Sequence, residues 1–476
     1  MKKRVTISYF LTFCFVLLLI GCQTLQNASG TDDPSAKMSV TERYNRGRSF
    51  IESDLHDSAL EDFNETLKLD PFYAPAHNSL GVLLKEKGEY DLAIAEFGKA
   101  IALDPTFTEA YNNRGVTSFI INDYDNAVED FNTIIQQTNP ILASAYNNRG
   151  IIWKNKGEYA KAIADYTRAI EINPAYFVAY NSRGIAYRDL RKFNEAINDF
   201  SSSIKINAYN EDAYINRGMT YFRMGEYDTA LEDYNRALKL NSLNPETLSS
   251  RGVVWFKKGD LNRSLKDFSR AIKLNPKLAK AYNSRGIVYF TVKKYDLAIK
   301  DFSQAIQIDP RYTNAYNNRG ITWRNIGEYQ KAIADYTSTM EINPRDPAAY
   351  NSLAWILATC PDDTARNGKR AIELSNRAIL LRPDAFKLDT LAAALAETGN
   401  FEEAVSTQEK SILLMRKSKV PNTTAMNEFH KHMQSYKNNK PWRDAPPKGL
   451  AGGSTSPKSG AAQVKKTMAE DKKQGN

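Results

Sequence analysis

A chain of 476 residues, 42% hydrophobic and 11% aromatic with 25% charged, can bury a sizeable core, which excludes disorder throughout and leaves two or three ordinary domains or one extended array. Its net charge of +9 gathers at the ends: Lys2, Lys3 and Arg4 supply three positive charges, and the residues from Lys440 onward a net five, leaving +1 for the body between. A nearly neutral body has no broad phosphate-binding field, which argues against nucleic acid as a partner.

In chain order, Lys2, Lys3 and Arg4 precede an apolar run from Val5 to Ile20, the length of a secretory h-region and short for a spanning helix. Residues 1–21 therefore read as a signal peptide. The run closes in Leu19-Ile20-Gly21-Cys22, which resembles the lipobox of bacterial lipoproteins, where cleavage precedes a cysteine carrying a diacylglycerol. The resemblance implies that Cys22 begins the mature chain as a lipid attachment site, acylated with chains such as palmitate; a simple secretory peptide with an incidental cysteine is the other reading. By resemblance to enteric lipoproteins, Gln23 after the cysteine implies sorting to an outer membrane, on its periplasmic face. Residues 22–38, rich in Gly, Ser, Asn and Asp, read as a lipid-anchored flexible tether. With Cys14 removed and Cys22 acylated, Cys360 is the one thiol left, so no internal disulfide can form.

From residue 39 a period takes over. Glycines at 47, 81, 115, 150, 184, 218, 252, 286 and 320 recur every 34 residues, apart from one step of 35. Ala354 continues the series, and Ala392 follows 38 later because of an insert around Thr359 to Gly368, making eleven repeats. With this Gly or Ala set as position 8, an aromatic is common at 11, Ala at 20 and Phe or Tyr at 24, as in Gly184, Tyr187, Ala196 and Phe200. These spacings put small and aromatic side chains on facing stripes of two helices, A and B. Glycines such as Gly157 and Gly225 end A helices, and prolines such as Pro105, Pro174, Pro276, Pro310 and Pro344 stop B helices. One hairpin cannot bury its apolar face alone, so neighbours must stack, and residues 39–416 read as an all-α helical solenoid.

Lines such as Ala145-Tyr-Asn-Asn-Arg-Gly150, followed by Gly157-Glu-Tyr-Ala-Lys-Ala-Ile163 and Asn173-Pro174, resemble the tetratricopeptide repeat. The resemblance implies a right-handed superhelix with a concave groove lined mainly by A helices. Met426, Phe429, Met433 and Tyr436 have helical spacing with one apolar face, so residues 417–439 read as a C-terminal capping helix. The Pro, Gly, Ser and Lys content of residues 440–476 reads as a disordered basic tail.

Two ladders run through the repeats. Position 7 is Arg in eight copies (46, 114, 149, 183, 217, 251, 285, 319), and the same eight carry Asp at position 23 (62, 130, 165, 199, 233, 267, 301, 335). Where position 7 is Leu, position 23 is Glu96, Leu374 or Thr407. This covariation predicts structural ion pairs across each hairpin: Arg114 with Asp130, Arg149 with Asp165, Arg183 with Asp199, Arg217 with Asp233, Arg285 with Asp301, and Arg319 with Asp335. Positions 5 and 6 carry the second ladder: Asn112, Asn113, Asn147, Asn148, Asn181, Asn216, Asn283, Asn317 and Asn318. In the family these positions face the groove, and an amide offers the donor and acceptor that match a peptide group. Two readings stay open: a peptide-binding column, or amides spent on water and neighbouring repeats.

No phosphate-binding loop, metalloprotease, redox or nucleophile-elbow motif occurs, so no enzyme, metal or cofactor is expected. The sequence reads as a membrane-anchored scaffold or adaptor binding protein partners in the bacterial cell envelope. The alternatives are a small-molecule-binding partner of a transport system and an outer-membrane assembly or secretion accessory.

Overall fold

The computed structural model describes residues 38–418 and 422–445. The expected signal peptide, Cys22, the tether and most of the basic tail lie outside them. Among the described residues, 23 α-helices follow one another as eleven A–B hairpins and a final single helix. The chain divides into two compact units, residues 1–152 and 153–476, and the division falls within the A helix of repeat 4, Ala143–Asn155.

The first helix, Val40–Glu52, opens with a capping box in which Ser39 and Glu42 satisfy each other's backbone N–H groups. Most A helices end at a residue in the left-handed region. Gly88, Gly225 and Gly259 take it with φ of 85°, 90° and 85°, whereas Arg191 and Lys293 adopt φ of 61° and 62° at equivalent positions, at a cost glycine avoids. B helices stop because an Asn or Asp leaves the helical region and accepts from the backbone two residues on. Asn173 Oδ1 receives Ala175 N at 3.0 Å, with Pro174 between them.

The 35-residue step has a physical counterpart: the B helix of repeat 3 ends in a π-helical turn, Ile134–Thr138, which takes up the extra residue. The insert of repeat 10 forms a short 3₁₀ turn, Asp363–Ala365, pinned by Arg366 donating to Cys360 O at 2.9 Å.

Within each hairpin the predicted stripes meet. Position 20 alanines (59, 93, 127, 162, 196, 230, 298, 332) and position 24 aromatics such as Phe97, Phe200 and Phe302 are fully buried. Position 8 glycines let the facing ring approach: a Cβ on Gly184 would stand 2.7 Å from Phe200, and one on Gly286 2.7 Å from Phe302. In repeat 7, Ser264 replaces the usual alanine and donates to Gly252 O at 2.8 Å, so its buried hydroxyl is satisfied. In the second unit a continuous core runs from Phe256 to Tyr436.

The final helix is Thr423–Lys437, which buries Phe429 and Tyr436 against repeat 11 as a cap. The chain beyond it departs from expectation. Residues 441–445 do not begin a solvated tail: Trp442 packs on the core and Asp444 N donates to Thr359 O at 2.9 Å. An aromatic ring with apolar surface to cover outweighs the local Pro and Lys content.

Candidate functional site

The arginine ladder lies between helices. Arg183 Nε donates to Asp199 Oδ2 at 2.8 Å and its Nη2 to Oδ1 at 2.8 Å, a bidentate pair from helix A to helix B. The same geometry joins Arg46 to Asp62, Arg114 to Asp130, Arg217 to Asp233, Arg251 to Asp267, Arg285 to Asp301 and Arg319 to Asp335. Arg149 and Asp165 belong to different units. The carboxylate's hydrogen bonds push the Arg114, Arg183, Arg217 and Arg285 guanidinium groups above their ordinary range, which keeps them charged although half-buried.

A third contact, not anticipated from the sequence, extends the ladder between repeats. The remaining arginine nitrogen, Nη1, reaches back to position 25 of the preceding B helix: Arg149 to Asn132 (2.7 Å), Arg183 to Thr167 (2.9 Å), Arg217 to Ser201 (2.9 Å), Arg251 to Asn235 (2.7 Å), Arg285 to Ser269 (3.1 Å) and Arg319 to Ser303 (2.9 Å). Each of these arginines thus ties its own helix A to the B helix before it, and Arg183, Arg217, Arg251, Arg285 and Arg319 also bind their own B helix, so their donors are engaged within the protein. The signal was legible, since position 25 before these arginines is always Asn, Thr or Ser, except for Gly98 before Arg114.

Where the pair is missing, another takes its place. In repeat 2, with Leu80 at position 7, His77 Nδ1 meets Glu96 Oε2 at 2.6 Å. Burial works to raise the Glu96 carboxyl, but hydrogen bonds from Lys99 and His77 outweigh it and hold it below its ordinary range. In repeat 11, Asp389 Oδ1 accepts from Gln408 at 2.7 Å and contacts His432 Nδ1 of the cap at 2.8 Å.

The asparagines divide into classes. Position 6 amides donate backward to position 5 of the preceding repeat: Asn113 to Asn78 (3.0 Å), Asn148 to Asn112 (3.3 Å), Asn216 to Asn181 (3.2 Å) and Asn318 to Asn283 (2.9 Å). Asn283 and Asn318 are 0% exposed, Asn147 2% and Asn317 8%, so these four have almost no surface to offer a ligand. Asn317 Nδ2 donates forward to Asp346, which N-caps the next A helix. Asn112 and Asn181 differ: both are half-buried, each oxygen accepts from the following repeat, and each NH₂ makes no hydrogen bond among the described residues. Asn216 is fully engaged, since its oxygen also accepts from the buried Arg188 at 2.8 Å.

Among neighbouring A-helix side chains, Ile151, Ile185, Met219 and Phe222 are half-buried, while Phe256 and Phe290 are buried. Cys360 is buried, and burial pushes its thiol above the ordinary range. Among the described residues no group of three or more His, Cys, Asp or Glu is placed to hold a metal ion, and no helix is long and apolar enough to cross a membrane.

Family models of the tetratricopeptide repeat match residues 143–176, 211–242 and 279–312, with related repeat models at 83–119, 254–292 and 178–210. Helix pairing and these matches make the fold a tetratricopeptide-repeat array. Among solved structures, the chain is similar to MamA (29% identity, covering 34% of this chain and 94% of that one, TM-score 0.32). It is also similar to YrrB, described as a tetratricopeptide-repeat protein with an unusual peptide-binding site (24% identity, covering 40% and 96%, TM-score 0.33), and to yeast Tom70 (16%, covering 84% and 96%, TM-score 0.42). No curated protein matches the chain.

Proposed function

We propose that this tetratricopeptide-repeat chain is a lipid-anchored adaptor of the bacterial cell envelope, holding extended segments of protein partners against its A helices. The observation that carries the binding half is the half-buried NH₂ group of Asn181 in the second unit, with Asn112 showing the same pattern within the first. Their oxygens are already engaged, and among the described residues their nitrogens are not. An amide fixed by its neighbour presents a pre-oriented donor to a peptide carbonyl, and half-buried Ile185, Met219 and Phe222 supply apolar surface for side chains. The anchor rests on Leu19-Ile20-Gly21-Cys22, and Gln23 favours the outer membrane, periplasmic face. Two or three acyl chains hold a protein to a bilayer essentially permanently.

In-cell crosslinking with mass spectrometry tests the binding reading, comparing the native lipoprotein with Asn112→Asp/Asn181→Asp, which keeps the acceptors for Asn148 and Asn216 and removes the two donors. A protein partner captured by the native chain and lost from the variant supports it; unchanged partners overturn it. The anchor is tested by Cys22→Ser, which should move the protein from the membrane to the soluble fraction and abolish palmitate labelling.

A further inference from the structure

Residues 441–445, beyond the capping helix, run without regular secondary structure along the A helices of repeats 10 and 11, Pro347–Thr359 and Ala385–Glu397. Asp444 N donates to Thr359 O at 2.9 Å, using a carbonyl that the end of the repeat 10 A helix leaves without a helical partner. Trp355 Nε1 donates to Asp444 Oδ2 at 2.8 Å. Arg443 Nη2 pairs with Glu397 Oε2 at 2.5 Å, and its Nη1 donates to Ala358 O at 3.3 Å. The Trp442 ring lies 4.5 Å from the His432 ring, centroid to centroid. One backbone hydrogen bond, one side-chain hydrogen bond to a carboxylate, one to a backbone carbonyl, one ion pair and one aromatic contact are the interactions by which a groove holds a short peptide.

The receptor positions strengthen the comparison. Trp355 is position 9 of repeat 10, the place of Ile151, Ile185 and Met219 in repeats 4 to 6, and Thr359 and Glu397 are both position 13 of their repeats. We infer that these A-helix positions of repeats 10 and 11 form a peptide-binding site occupied in cis by Trp442-Arg443-Asp444, and that a partner segment of the same chemistry, an extended aromatic–Arg–acidic triplet, takes it in trans when the strap is displaced. Glu397 selects the cation, the Trp355 indole N–H selects the carboxylate, and the His432 ring selects the aromatic. Asn112 and Asn181 have no part in this site, so it stands or falls apart from the adaptor reading above.

The covalent connection to the cap gives the cis segment a high effective concentration, so the native chain should resist a free peptide. The probe is a fluorescently labelled synthetic peptide with the sequence of residues 439–447, Asn-Lys-Pro-Trp-Arg-Asp-Ala-Pro-Pro, titrated by anisotropy against the full-length chain. Against the full chain carrying Trp442→Ala, Arg443→Ala and Asp444→Ala, binding should be at least ~10-fold tighter than against the native chain. Asp444→Ala alone, which leaves the tryptophan seated, should give a smaller gain of the same sign and decides the matter if circular dichroism shows the triple variant unfolded. Adding Trp355→Phe to an unlatched chain should weaken the peptide several-fold while leaving helicity unchanged. Equal binding to native and unlatched chains, no binding to either, or indifference to Trp355→Phe would each overturn the inference.

Discussion

At the scale of single residues, position 8 decides how close two helices come. All nine position 8 glycines are matched in sequence by a Phe or Tyr at position 24, whereas Ala354 and Ala392 are matched by Ser375 and Gln408. The glycine exists because the ring does. Gly286→Ala gains helix propensity of about 1 kcal/mol but drives a methyl group into Phe302, which is 0% exposed. Overpacking of this kind costs about 1–3 kcal/mol, so the net expectation is a lower urea midpoint at unchanged m-value. A higher midpoint would show that the ring yields. This constraint was legible in the sequence as a period, because small and aromatic residues recur on it. The burial of individual asparagines was not: Asn112 and Asn283 have the same repeat position and the same residue type. Whether a neighbour covers them depends on packing between repeats that no single line of sequence expresses.

At the scale of helices, the arginine ladder shows what can be exchanged and what cannot. Repeat 10 fills the paired positions with Leu353 and Leu374, both buried, so the hairpin tolerates an apolar pair. Asp301→Leu alone strands Arg285 beside a low-dielectric interface and should cost about 3–5 kcal/mol, whereas Arg285→Leu/Asp301→Leu should recover most of that loss. Chemical denaturation with hydrogen exchange localised to residues 279–308 checks both; a double variant as weak as the single would show the ion pair to be irreplaceable. The position 25 contact gives a prediction of opposite sign. Gly98 stands where Arg114 would find Asn, Thr or Ser in other repeats, and a Cβ there would lie 3.8 Å from Arg114 Nη1 in open space. Gly98→Ser removes a mid-helix glycine and offers an acceptor to that nitrogen, for a gain of about 1–2 kcal/mol. The Arg–Asp pairing was readable from covariation within the chain, because both partners vary together. The backward contact crosses a repeat boundary, so it is visible only when position 25 of one repeat is compared with position 7 of the next.

At the scale of the whole molecule, the two ends of the array are finished differently. The N-terminal repeat begins with a side-chain capping box, while the C-terminal repeats replace ionic pairs with leucines, a polar knot of Asp389, Gln408 and His432, a cap helix and the strap at 441–445. Cys360 stands beside that strap, since its neighbour Thr359 receives Asp444 N. A buried thiol with a raised pKa reacts only when its surroundings open. Alkylation of the native protein at pH 8 should therefore be slow, and the unlatched tail variant should react several-fold faster with no loss of helicity. Equal rates would show that the strap does not control access to repeat 10. The cap was legible from helical spacing, but the strap was not, because a stretch of Pro, Lys and Asn around one tryptophan reads as solvent-exposed until a receptor for that ring is in view.

The arginine Nη1 contacts and the position 6 amides share a direction: in every case the donor belongs to the later repeat and the acceptor to the one already behind it. A chain that emerges N-terminus first, from a ribosome or through a membrane channel, thus always presents a finished row of acceptors before the donors arrive. At these positions each new hairpin finds its acceptors already in place, whereas forward contacts such as Asn317 to Asp346 wait for the repeat ahead. At these positions the direction of synthesis matches the direction in which the joints point.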